Sequence, residues 1–240
     1  LEQYIRLFQN PRWHVALDNL LIFIVLFIAI SLIIGLLLAI FLDQRIRAEG
    51  AIRTIYLYPM AISFIVTGTA WKWILNPGLG IEKIFRDMGF ADFEFRWLVE
   101  QEMAIYTIVI AAVWQSSGFV MAMFLAGLRG VDDNLVKAAK IDGASTIKSY
   151  WYVILPIMRP VFFSAIVILT HIAIKSFDLV QALTGGGPGY ASDLPANFMY
   201  TFAFNRAQMG LGAASAIIML FGVLAVLIPY LYSELRERPA

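Results

Sequence analysis

The chain has 240 residues, 60% of them apolar and only 15% charged, whereas an ordinary soluble domain is about half apolar and about one-quarter charged, so the surplus must face something other than water. A formal net charge of +1 excludes the concentrated basic face of a nucleic-acid binder. The absence of cysteine excludes disulfide frameworks, thiolate metal sites and thiol nucleophiles, and His14 and His171 have no metal-ligand spacing.

Uncharged runs then specify an all-α polytopic membrane protein with five transmembrane helices in one transmembrane domain covering 1–240. Leu20 to Leu42 is 23 residues without a formal charge, Met103 to Leu128 is 26 and Ala207 to Ser233 is 27. About 20 apolar residues cross roughly 30 Å of hydrocarbon, so each run suffices. Thr54 to Ala70 is 17 residues and is lengthened by Trp71, Trp73, Ile74 and Leu75, with Lys72 snorkelling and the tryptophans at headgroup level. Val161 to Ile174 is only 14 residues and needs extension back to Val153. The expected spans are 17–42, 53–75, 103–128, 153–177 and 207–233, with Pro59 and Pro229 kinking the second and the fifth.

The distribution of Lys and Arg orients these spans. Asp43–Arg53, Arg129–Pro160 and Ser233–Ala240 hold ten basic residues, including Arg45, Arg129 and Arg238, against seven acidic ones. These segments are expected in the cytoplasm, which leaves Leu1 outside. With no initiating Met and no signal-peptide core, the expectation is that a further N-terminal helix precedes this chain.

The segment 131–152, between the third and fourth spans, has the form of a cytoplasmic helix-turn-helix. Asp132 or Asp133 can cap a helix on which Leu135, Ala138, Ala139 and Asp142 share a mostly small face. Gly143 can turn the chain, and Ser145 can cap a second helix with the apolar stripe Ile147, Tyr150, Trp151 and Ile154. Such a small-residue face is suited to being gripped by a partner.

Lys137-Ala-Ala-Lys-Ile-Asp-Gly-Ala144, followed by Ile154-Leu-Pro156, resembles the EAA loop of binding-protein-dependent ABC importer permeases. Ser176-Phe-Asp-Leu-Val-Gln-Ala-Leu-Thr-Gly-Gly-Gly-Pro188 resembles an outer loop of the carbohydrate branch, the maltose-permease-like subunits. Asn19-Leu20 opening the first span and Gly35-Leu-Leu-Leu-Ala39 closing it resemble that branch as well. The resemblance implies that Ala138, Ala139, Asp142, Gly143 and Ala144 dock in a cleft of an ATP-binding subunit and couple nucleotide closure to the helices. Lys137 departs from the family's usual Glu, so the ion pair made by that Glu is absent or reversed. The resemblance further implies a second homologous permease, two ATP-binding subunits that carry ATP and Mg, and an extracytoplasmic sugar-binding protein. It places the chain in a bacterial or archaeal inner membrane, with no cofactor of its own.

By the same resemblance Trp114, Gln115, Ser116, Phe119, Ile172 and Ser176 line the translocation pathway. Polar groups inside a span call for a reason: Gln115 and Ser116 offer amide and hydroxyl partners to a sugar, and Trp114 and Phe119 can stack on its C–H face. Ser116, Ser117 and Gly118 are equally explained by small-residue helix packing. His171, Lys175 and Asp178 can form a proton relay or anion site, or Lys175 can snorkel outward and pair with Asp178.

No Walker A sequence is present, and Gly185-Gly-Gly-Pro-Gly189 lacks its GKS/GKT ending. The reading is therefore a permease subunit that performs no covalent chemistry and forms half of the pathway of an ATP-driven sugar importer. A proton-coupled secondary transporter, or an ABC permease for another solute such as a glycerol-phosphate compound, is the alternative. The resemblance around Asn197–Ala214 leans toward a glucose- or mannose-type monosaccharide.

Overall fold

The computed structural model describes residues 1–44 and 46–236; Arg45 and Arg238, both used above for orientation, lie outside the described residues. A short helix, α1 (Glu2–Phe8), precedes the 33-residue α2 (Pro11–Asp43). Asn10 caps α2 by accepting the Arg12 N–H at 3.0 Å, and Pro11 occupies the first turn, where its missing N–H costs nothing. The helix thus starts ahead of the expected residue 17. Its buried residues run Trp13, Ala16, Asn19, Phe23, Phe27, Ser31, Gly35, Ala39 and Leu42, one stripe at spacings of three or four. Leu21, Val25, Ile33, Leu37 and Phe41 stay exposed around it, as befits a helix whose outer faces meet lipid rather than water.

The second expected span is not one kinked helix. It divides into α3 (Glu49–Leu57), continued by a 3-10 turn over Tyr58–Ala61, and α4 (Phe64–Ile74). The two arms, Glu49–Ala61 and Phe64–Ile74, meet at 102°. Pro59 cannot donate within the helix, and Ile62 and Ser63 are both extended, with ψ of 142° and 150°. Ser63 then caps α4 by accepting the Val66 N–H at 3.4 Å. Eleven residues of α4 rise about 16 Å, too little to cross a bilayer alone.

After α5 (Ile81–Asp87), α6 (Ala104–Arg129) runs through the centre, buried on nearly every side. It lies along α2 closely enough that a Cβ added at Gly35 would sit 2.5 Å from Val120 Cγ1. Next come α7 (Asp133–Ile141) and α8 (Thr146–Ser149), a π-helical turn over Tyr150–Ile154, and α9 (Leu155–Ile157). The fourth expected span also departs from a single helix. Thr146–Ile157 and α10 (Arg159–Ile174) are bent by 65°, with Met158 at ψ 0° between Pro156 and Pro160.

The chain then forms α11 (Asp178–Leu183) and α12 (Pro195–Tyr200), a second π-helical turn over Thr201–Asn205, and α13 (Met209–Arg236). Pro229 sits inside α13, which continues past it as helix. Among the described residues three helices are long and apolar enough to cross a membrane, Pro11–Asp43, Ala104–Arg129 and Met209–Tyr232; counting each bent pair as one span makes five. The main core joins α2, α6 and α10 through Phe23, Phe27, Met121, Phe124 and Leu169. A second cluster of Leu7, Trp13, Phe198, Phe202, Leu211 and Ala214 fastens α1, α12 and the start of α13 to the first turns of α2.

Candidate coupling and translocation sites

The helix-turn-helix forms as its residues specify. Asp132, rather than Asp133, caps α7 by accepting the Asn134 N–H at 2.8 Å. Gly143 has φ +81° with nothing within 4 Å of an added Cβ, so its backbone conformation, not crowding, calls for glycine. The Ala144 N–H returns to the Ala139 carbonyl at 2.9 Å and closes the helix end. Ser145 accepts the Lys148 N–H at 3.4 Å.

Ala138, Asp142 and Gly143 are exposed, while Ala139 and Ala144 are half-buried. The expected apolar stripe is divided: Ile154 is buried and Tyr150 half-buried, whereas Ile147 and Trp151 face outward at 80% and 67% exposure. Ile141, at 86%, joins them. The chain itself leaves these three large apolar side chains uncovered. Lys137 is exposed and makes no ion pair among the described residues. Close by in the chain, Arg129 at the end of α6 pairs with Glu49 at 2.7 Å and with Asp43 at 3.8 Å, drawing together the adjoining ends of α2, α3 and α6.

Of the six residues expected along the pathway, only Trp114 is exposed, at 40%. Its ring stands 5.9 Å from Trp71 of α4 in an edge arrangement. Gln115 is buried, and its Nε2 donates to the Ile62 carbonyl at 2.7 Å, at the break between the arms, while its Oε1 has no partner. Ser116 is buried too. Gly118 presses on the backbone of the other arm, since an added Cβ would overlap the Tyr56 carbonyl oxygen; small-residue packing therefore accounts for that position. Phe119 and Ile172 are half-buried against the same main core, and Ser176 is buried at the turn from α10 to α11. The structure thus brings Trp114 and Gln115 to the bent pair; Ile172 and Ser176 lie where α10 gives way to α11, which itself packs on α4, an added Cβ at Gly68 standing 2.8 Å from the Ala182 Cβ.

His171, Lys175 and Asp178 are all exposed. The expected Lys175–Asp178 ion pair does not form among the described residues, because Asp178 opens a new helix beyond the turn at Lys175 and Ser176. An open groove of about 1000 Å³ runs between α10 and α13. Apart from Arg159 and Tyr230, whose hydroxyl is 2.9 Å from that of Ser164, its walls are Pro, Phe, Ile, Val and Ala, a lining better matched to lipid or a helix than to a polyhydroxylated solute.

At the opposite end from α7, Arg12 Nε donates to Asp193 Oδ2 at 2.7 Å, with side-chain exposures of 12% and 1%. Arg12 also donates to Thr201 Oγ1 at 3.2 Å, and its guanidinium lies 4.4 Å from the centre of the Tyr190 ring. Asn19 Nδ2 donates to the carbonyls of Tyr190 and Asp193 at 3.2 and 3.0 Å. Ser192 Oγ donates to Thr184 Oγ1 at 2.8 Å and to the Gly187 carbonyl at 2.6 Å. Burial pushes the Asp193 carboxyl above its ordinary value, while its hydrogen bond and charge pairing with Arg12 pull the other way. The Gly185–Gly189 loop is thereby pinned to the first turns of α2. Sequence reading missed this lock because its partners are 181 positions apart; its one local trace was a polar Asn19 opening an apolar run.

The family model for the binding-protein-dependent transport system inner membrane component matches residues 31–238. A probable ABC transporter permease of Pyrococcus horikoshii is 40% identical over 97% of this chain and 80% of its own length. The xylose/arabinose import permease XacH of Haloferax volcanii is 35% identical over 99% and 75%. The trehalose/maltose transport permease MalF of Thermococcus litoralis is 34% identical over 85% and 70%. Among solved structures, a bacterial ABC transporter involved in importing the acidic polysaccharide alginate superposes with a TM-score of 0.86 at 20% identity, over 100% of this chain and 84% of that one; at that identity the likeness concerns the fold alone.

Proposed function

The chain belongs to the family of binding-protein-dependent transport system inner membrane components, and we propose that it is one transmembrane subunit of an ATP-driven sugar importer in a bacterial or archaeal inner membrane. In this reading the end carrying α7 faces the cytoplasm. There the Asp133–Ile141 helix, the Gly143 turn and the outward Ile141, Ile147 and Trp151 seat in an ATP-binding subunit. Two such subunits hold ATP and Mg, and this chain supplies neither a cofactor nor a catalytic group. A second homologous permease completes the pathway, and an extracytoplasmic binding protein delivers the solute at the end carrying Asp193.

The observation that carries the reading is the exposed helix-turn-helix, with a glycine at φ +81° and a bare apolar fringe, on a chain of this family. A sugar as solute is supported by the names of the xylose/arabinose and trehalose/maltose relatives. Trp114, exposed beside Trp71, is the side chain best placed to meet a sugar's C–H face, with Gln115, Ser116, Phe119, Ile172 and Ser176 behind the surface.

The test is uptake into vesicles holding the complex, internal ATP and the binding protein, with pentoses, disaccharides, monohexoses and glycerol-3-phosphate as separate solutes. ATP-dependent uptake of a sugar, insensitive to a protonophore, is expected. Uptake that needs no ATPase subunit and collapses with the protonophore would overturn it in favour of a proton-coupled carrier.

A further inference from the structure

The break at Ile62–Ser63 is held from outside, by α6. The Ile62 carbonyl ends the 3-10 turn, and the next residue is extended, so no helical N–H reaches back to it. Gln115, 4% exposed, crosses from α6 and donates its Nε2 to that oxygen at 2.7 Å. One turn further along α6, Gly118 lets the two backbones touch at the Tyr56 carbonyl, on the other side of Pro59. The preceding residue, Trp114, meets Trp71 on the far arm. Within five residues α6 thus meets both arms of the bent pair, with Gln115 bonded to the break between them.

The chemistry of Gln115 separates holding from filling. A residue needed only for volume at a buried position would be apolar, because a buried amide oxygen without a partner is costly. Gln115 carries that burden, its Oε1 buried and unpartnered, while its Nε2 donates to a carbonyl that the break leaves without a helical N–H. The donor is what the position retains.

We propose that Gln115 is a positioning residue for transport: it sets the angle between Glu49–Ala61 and Phe64–Ile74 and so keeps Trp71 beside Trp114, rather than serving as a ligand of the solute. The inference rests on the importer reading for its consequence in transport, but the geometry can be measured independently of uptake.

The chain contains no cysteine, so paired spin labels at Ile55 and Trp73, both exposed and one on each arm, report the angle in the assembled complex built with cysteine-free partners. Gln115→Met keeps the length and removes the donor; Gln115→Glu keeps the shape and, when ionised, does the same. Both are expected to widen a narrow distance distribution. Both are also expected to lower the maximal rate of uptake while leaving the half-saturating solute concentration unchanged. Trp114→Ala should leave the distance distribution narrow. An unchanged distribution in both Gln115 variants overturns the proposal, as does a shift in half-saturation with the rate intact. Failure of both variants to assemble while Trp114→Ala assembles also counts against it, since the role would then be general folding. A wild-type complex with the narrow distance but no ATP-driven uptake would instead remove the importer reading and leave the positioning role standing.

Discussion

Arg12 and Asp193 meet across 181 positions of sequence, their charged groups 2.7 Å apart and nearly removed from solvent. Removing one partner of such a pair strands the other charge, whereas replacing both with apolar side chains of similar volume is often neutral. Arg12→Ala is therefore expected to destabilise this end of the fold by about 3–5 kcal/mol, and Arg12→Met with Asp193→Leu to restore most of that loss. Thermal unfolding of the purified complex checks both.

The same carboxylate has a definite pH signature. Its folded pKa lies above the ordinary 3.8, so the folded chain binds that proton more tightly than the unfolded chain does. Stability contributed by this group accordingly rises as pH falls through the folded pKa and levels off below about 3.9. Comparing wild type with Asp193→Asn between pH 7 and pH 4, the wild type should gain relative to the variant on acidification; a relative loss would contradict the burial argument.

Gly143 offers a separate test because nothing crowds it. A side chain there must hold φ +81°, which costs roughly 1–2 kcal/mol for most residues and less for Asn. Gly143→Asn is expected to keep coupled uptake near wild type. Gly143→Val should leave ATP hydrolysis running with uptake reduced, as read from the ratio of solute imported to ATP hydrolysed.

Close approach of α2 and α6 at Gly35 gives a packing prediction. A Cβ there would stand 2.5 Å from Val120 Cγ1 and 3.0 Å from the Met121 nitrogen, so Gly35→Ala overpacks the main interface and should destabilise by about 1–3 kcal/mol. Adding Val120→Ala should recover part of the loss, measured by unfolding of the single and double variants.

Much of this was legible in the sequence because the signals are local. Uncharged run length marks a span wherever it lies, and the Asp132 cap, the Gly143 turn and the Ser145 cap each depend on residues within a few positions. The two departures came where prolines meet a run of marginal length. Pro59 and the Pro156–Pro160 pair appear in the sequence, but how far the chain turns at them depends on what the two arms meet in space, and the donor to the Ile62 carbonyl, Gln115, is 53 positions away. The Arg12–Asp193 lock was illegible for the same reason, since long-range pairing leaves no spacing to read. The outward turn of Ile147 and Trp151 was missed because a helical stripe shows which residues share a face, not whether the chain itself covers that face.

The central claim is most directly tested by a single cysteine placed at Ala139 in this cysteine-free chain. In inside-out vesicles from cells expressing the whole complex, it should cross-link to the ATP-binding subunit and be shielded from a membrane-impermeant thiol reagent. Labelling of that cysteine from outside intact cells, with no cross-link to any ATPase, would contradict the account.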